Sequence, residues 1–125
     1  MVKSIVTVII ALFLIFGGAV FEAKFVNKQF NEFDVALSSL YDKTKDQTAN
    51  KQDVLAVQEN WHAKKRVLHI FIPHNEIKEI DLWLGETISL INFEKYDDAL
   101  SKLDVLIELC REIPKTFTPA MPNIL

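Results

Sequence analysis

The side chains whose types and spacing could support chemistry are three histidines, His62, His69 and His74, with the carboxylates Glu76 and Glu79 close behind them. His62 and His69 are seven positions apart. On a helix they would share a face about 10 Å apart, too far for one metal ion without a third group between them. His69 and His74 can approach each other across a turn, with Glu76 or Glu79 as an oxygen ligand. The set matches no ligand spacing such as His-Glu-x-x-His, and exposed or turn-capping histidine is the plainer reading. Glu76 could also orient His74 for acid-base work. Beside Pro73, however, a histidine more often caps a helix or bonds a carbonyl. The chain has no nucleophile motif and no phosphate-cradling glycine loop, since two of its 3 glycines, Gly17 and Gly18, lie in an apolar run. No catalytic, cofactor-binding or metal residue is assigned. The expectation is a protein that is not an enzyme and holds no cofactor.

Two further features have plain readings. Cys110 is the one cysteine, which excludes an internal disulfide, and in "LIELCRE" it falls among apolar residues at helical spacing, where cysteine acts as a small buried hydrophobe. Lys64, Lys65 and Arg66 form the densest basic cluster, but three adjacent residues on a helix point in three directions. The net charge is −3, and apart from Lys3 the chain carries 13 basic against 17 acidic residues. Nucleic acid, which needs clustered Lys and Arg, is excluded as a partner.

These residues must be positioned by the elements around them, and the first element dominates. Ile5 to Phe21, "IVTVIIALFLIFGGAVF", carries no charge and reaches the lower length limit of a spanning helix, about 17 residues. An export signal has a shorter apolar core followed by small residues at its cleavage site. Gly17-Gly18-Ala19 offers such a site, but Val20 and Phe21 continue the run past it. A retained single-pass anchor in the cell membrane is the leading expectation. The alternatives are secretion after cleavage near Ala19 and burial in a soluble protein. Lys3 and the amino terminus precede the run, whereas Lys24 and Lys28 after it are accompanied by Glu22, Glu32 and Asp34. The excess of positive charge therefore places the N-terminus in the cytoplasm and the C-terminal domain outside.

Beyond the run, Val26, Phe30, Phe33, Leu37 and Leu40 follow at intervals of three and four, the seam of a helix packed on other helices. No breaker separates them from the span, so one long rod is expected. Asn50 can cap a second helix, with Asp53 at the positive end of its dipole, and Val54, Val57, Trp61, Leu68 and Phe71 form its apolar side. Pro73 sets a boundary near "IPHN". A third helix carries Ile77, Ile80, Leu84, Ile88 and Ile91; a fourth carries Ala99, Leu100, Leu103, Leu106, Ile107, Cys110 and Ile113, and Pro114 is expected to stop it. Trp61 and Trp83 are expected in the core. The fold class is all-α: a tail of residues 1–4, a transmembrane helix over 5–21, a small antiparallel bundle of three to four helices over 22–116, and a nonhelical tail over 117–125.

The order of Trp61, then "HNEI" from His74 to Ile77, then Ile113-Pro114, then Asn123-Ile124-Leu125 resembles a family of short bacterial membrane-anchored proteins of unknown function, common in spore-forming Gram-positive organisms. Two positions depart from that pattern: Pro73 stands where an acidic residue commonly precedes the histidine, and Leu68 where a second tryptophan often follows the first. The resemblance implies an anchored helical domain and brings no chemistry with it. The expected role is a protein-interaction or structural module held at the lipid bilayer, whose partner is an envelope or membrane protein or a second copy of itself. The alternative is a small-ligand sensing domain that works with a separate signalling partner.

Overall fold

The structure is a computed structural model that describes residues 1–117. It consists of four α-helices, and no strand occurs among the described residues: α1 (Val2–Lys45), α2 (Lys51–Leu68), α3 (His74–Asn92) and α4 (Tyr96–Phe117). Each helix packs against two others, α1 against α2 and α4, and α3 against the same pair. The chain therefore closes a four-membered ring in sequence order. Cross-links fix the directions: Lys43 pairs with Asp53 where α1 ends and α2 begins, and Phe25, midway along α1, meets Phe71 just past the end of α2. Arg111 of α4 reaches Asp34, while Tyr96 at the opposite end of α4 reaches the Ala49 carbonyl. Neighbouring helices run antiparallel, as short connections require.

The periodicity explains the core. The buried positions are Val26, Phe30, Phe33, Leu37, Leu40 and Thr44 on α1; Val54, Val57, Trp61, Lys64 and Leu68 on α2; Ile77, Ile80, Leu84, Thr87 and Ile91 on α3; and Ala99, Leu103, Leu106, Cys110 and Ile113 on α4. All four sets repeat at alternating intervals of three and four, the seam that lets helices run side by side. Thr44 and Thr87 enter these seams because each hydroxyl donates to the carbonyl four residues earlier, at 2.7 and 2.8 Å. Thr87 thereby takes the place expected of Ile88, which is half-buried.

The ends of α2 show how local chemistry sets boundaries. The Asp53 N–H donates to Asn50 Oδ1, and the Asn50 N–H donates to Asp53 Oδ2, both at 3.0 Å, closing a reciprocal cap. Lys43 and this backbone bond hold the Asp53 carboxyl below its ordinary value of 3.8. Glu32 is likewise lowered from 4.5, first by its hydrogen bond to Lys64. A carboxyl depressed in the folded state contributes stability that is complete above the unfolded value and disappears as pH falls through the folded one. Acid titration followed by circular dichroism should therefore show the bundle losing stability below about pH 4.5; Asp53→Asn with Glu32→Gln should flatten that decline, and an unchanged decline would refute the assignment.

Two boundaries differ from expectation. Helix α2 ends at Leu68, five residues before Pro73, and His69 to Ile72 form a turn whose amides bond back to Lys65, Val67 and Leu68. Pro114 does not stop α4, which continues to Phe117. Proline already has a helical φ, and Pro114 is buried in a cleft shared with Asn27, Phe30 and Cys110, so packing on α1 offsets its missing amide bond. Of the tail expected over 117–125, Phe117 is helical and the rest lies outside the described residues.

The first half of α1 stands apart from this packing. Residues 2–18 are exposed, and the most apolar window of the helix has none of its residues covered by the bundle. The possibility that this run is a buried core helix is thereby overturned. At ~1.5 Å per residue, the 44 residues of α1 make a rod of about 66 Å without a break.

Candidate functional site

The histidines do not assemble a metal site. His62, His69 and His74 are all exposed. His69 caps the C-terminal end of α2 and His74 begins α3, so the turn brings their rings to 5.5 Å between centroids. Glu76 lies in the same first turn of α3 as His74. Among the described residues, no group of three or more His, Cys, Asp or Glu side chains could hold a metal ion. Cys110 is buried, and desolvation pushes its thiol far above the ordinary range, with the nearby Asp34 carboxylate acting in the same direction. The thiolate is the reactive form. A maleimide should thus label the folded protein only as fast as it unfolds; rapid labelling in native buffer would show that the α4 seam is open.

The basic cluster diverges as its helical spacing requires. Lys64 occupies an apolar seam position at 8% exposure and sends its ammonium to Glu32 and Gln29 of α1. Lys65 turns to α3, where it donates to Asp81 Oδ2 at 2.8 Å. Asp81 Oδ1 accepts from Trp61 Nε1 at 2.7 Å, and the Trp61 ring stacks on Phe33 with centroids 5.0 Å apart. Trp61 therefore links α1, α2 and α3 through one buried ring and one partly exposed carboxylate. The sequence gives little warning of this arrangement, because its partners are distant in the chain; its one signal is a lysine at a seam register.

Trp83 departs from expectation, since it is half-buried at the edge of the core. Its Nε1 donates to Glu79, and the Lys102 ammonium sits 4.9 Å from its ring centroid while also pairing with Glu86. An indole with a polar edge can remain at a surface when that edge is hydrogen-bonded.

Two surfaces remain. The first is a groove of about 200 Å³ between α1 and α2, lined by Ala36, Ser39, Lys43, Asp53, Ala56 and Asn60 among others. Its small residues, Ala36, Ser39 and Ala56, leave the space between the two helices unfilled. Asn60 Oδ1 is buried with no hydrogen-bond partner among the described residues. The second is the end of the bundle next to the exposed half of α1, where Phe21 stacks toward Phe25 at 6.3 Å and Phe25 meets Phe71 of the α2–α3 turn at 5.7 Å.

A family profile described as a domain of unknown function (DUF4363) matches residues 20–124. The match takes in the whole bundle and leaves nearly all of the apolar run outside it. No curated protein and no solved structure matches.

Proposed function

The chain belongs to the family described as a domain of unknown function, DUF4363, and from that premise we propose that it is a bacterial envelope protein, held by a single membrane span, whose helical bundle acts by binding rather than by catalysis. One observation carries this reading: the apolar half of α1 is exposed from residue 2 to residue 18 and runs without a break into the buried seam of the bundle. Leaving so long an apolar surface in water is unfavourable by ~25 cal/mol per Å², whereas hydrocarbon removes the cost, and an unbroken helix leaves no unpaired backbone groups in lipid. The charge around the run supports an N-terminus in the cytoplasm and a bundle outside. The anchor then confines the bundle at the bilayer and raises its effective concentration toward a neighbouring membrane or envelope protein, or toward a second copy. Val35, Leu82 and Phe93 are exposed apolar residues on separate elements of the bundle and supply points of contact.

The full chain expressed in cells should stay in the membrane pellet after alkaline carbonate extraction. Protease acting from outside should digest the bundle. A soluble chain that still begins at Met1 overturns the reading, and a soluble chain beginning near Val20 replaces it with secretion after cleavage. Mild detergent should release the protein with a stoichiometric companion or as a homodimer.

A second reading, small-ligand sensing with a separate signalling subunit, rests on the groove beside Asn60. Saturable thermal stabilisation of the detergent-solubilised chain by a small molecule, lost in Asn60→Leu, would support it.

A further inference from the structure

We infer that the α2–α3 turn is a second membrane contact, with Ile70 and Phe71 seated in the lipid headgroup layer beside the point where α1 leaves the bilayer. The inference rests on the anchor reading above and goes beyond it, because a span alone says nothing about which other part of the bundle touches lipid.

Height is the first argument. Phe21 is the last residue of the apolar run, and Phe25 lies four residues further on, about 6 Å along the helix. The headgroup layer occupies about 5–7 Å on each side of the hydrocarbon, as the difference between a ~40–45 Å bilayer and its ~30 Å core. The contact between Phe25 and Phe71 places the turn at this level. Phe21, Phe25 and Phe71 form a continuous aromatic run from the span to the turn.

Exposure is the second. Ile70 is 77% exposed, more than any other large apolar residue described beyond the span, although Val67 and Phe71 lie close to it in the chain. An isoleucine held outward at the tip of a turn is left largely uncovered by the described residues, and the bilayer surface supplies a partner. Phe93 is similarly exposed, at 74%, but it sits between α3 and α4 at the far end of the bundle.

Charge is the third. The near half of the bundle, residues 22–34, 62–80 and 107–117, holds 8 basic and 7 acidic residues together with all 3 histidines. The far half, residues 35–61 and 81–106, holds 5 basic and 10 acidic residues. The strongly acidic end is thus turned away from the lipid, and His69 and His74 flank the apolar tip, where a headgroup layer can hydrogen-bond them. Anionic lipid favours this orientation and opposes the reverse.

The test uses the full chain in nanodiscs of phosphatidylcholine and phosphatidylglycerol, in a Cys110→Ala background. Single nitroxide labels are attached through Phe13→Cys, Ile70→Cys or Leu55→Cys, the last being exposed near the far end of α2. Each label's accessibility to oxygen, which concentrates in lipid, is compared with its accessibility to a water-soluble nickel complex. Because Ile70 is exposed its replacement removes nothing from the core, and unchanged helicity in each variant checks the fold. Positions 13 and 70 should favour oxygen, with the ratio at 70 several-fold above that at 55. Oxygen preference at 13 with ratios at 70 and 55 alike overturns the inference and leaves the anchor standing. Nickel preference at 13 overturns both.

Discussion

Trp61→Ala is expected to destabilise the bundle by about 3–5 kcal/mol, the range for removing a large buried aromatic. Few single changes here remove as much. At 1% exposure the ring is covered on all sides, it stacks on Phe33, and its N–H is taken up by Asp81. Alanine would leave a cavity among three helices and deprive Asp81 of one donor. Small domains are stable by only about 5–15 kcal/mol, so the variant should lose a large share of its stability and unfold at lower urea concentration and temperature. Trp61→Phe separates the two contributions. It keeps most of the apolar volume and removes the hydrogen bond, whose loss from a partly exposed carboxylate still held by Lys65 should cost about 1 kcal/mol. Urea unfolding of the detergent-solubilised chain measures both variants, and a Trp61→Ala loss below about 1 kcal/mol would falsify the packing described.

The second large effect concerns location. Ile10→Arg combined with Phe13→Arg places two guanidinium groups near the middle of the apolar run, each costing about 2.5–3.5 kcal/mol for insertion at a helix centre. Together they should move the protein from the membrane pellet to the soluble or aggregated fraction. The bundle should be spared, since both residues lie in the exposed half of α1, away from the core. Flotation of the double variant with the membranes on a density gradient, which leaves aggregates behind, would show that something other than this run holds the protein at the bilayer.

The helices were legible in the sequence because their seams are regular. Val26, Phe30, Phe33, Leu37 and Leu40 repeat so strictly that one register buries them all, and Asn50 with Asp53 announced its own cap. The exceptions share a physical cause: hydropathy favours the nearest apolar residue over a polar one that stands at the seam register. Thr87 displaced Ile88, and Lys64 occupies a slot that hydropathy leaves vacant. What settles such cases is a partner elsewhere, the Trp83 carbonyl for Thr87 and Glu32, 32 positions away, for Lys64. Pro114 misled for the same reason, as its local rule gives way to burial against α1. The turn between His69 and His74 is an exposed apolar tip because α2 ends at Leu68, well before Pro73.

The unbroken passage of α1 from its exposed half into the bundle also acts as a gear. Each residue of an α-helix advances the axis by ~1.5 Å and turns it by about 100°. One residue added between Phe21 and Val26 would swing every outward face of the bundle to a new compass bearing around the membrane normal, while raising it hardly at all. Spacing by whole turns would lift the cargo and leave it looking in nearly the same direction. A neighbour docked sideways in the same bilayer would notice the first change far more than the second.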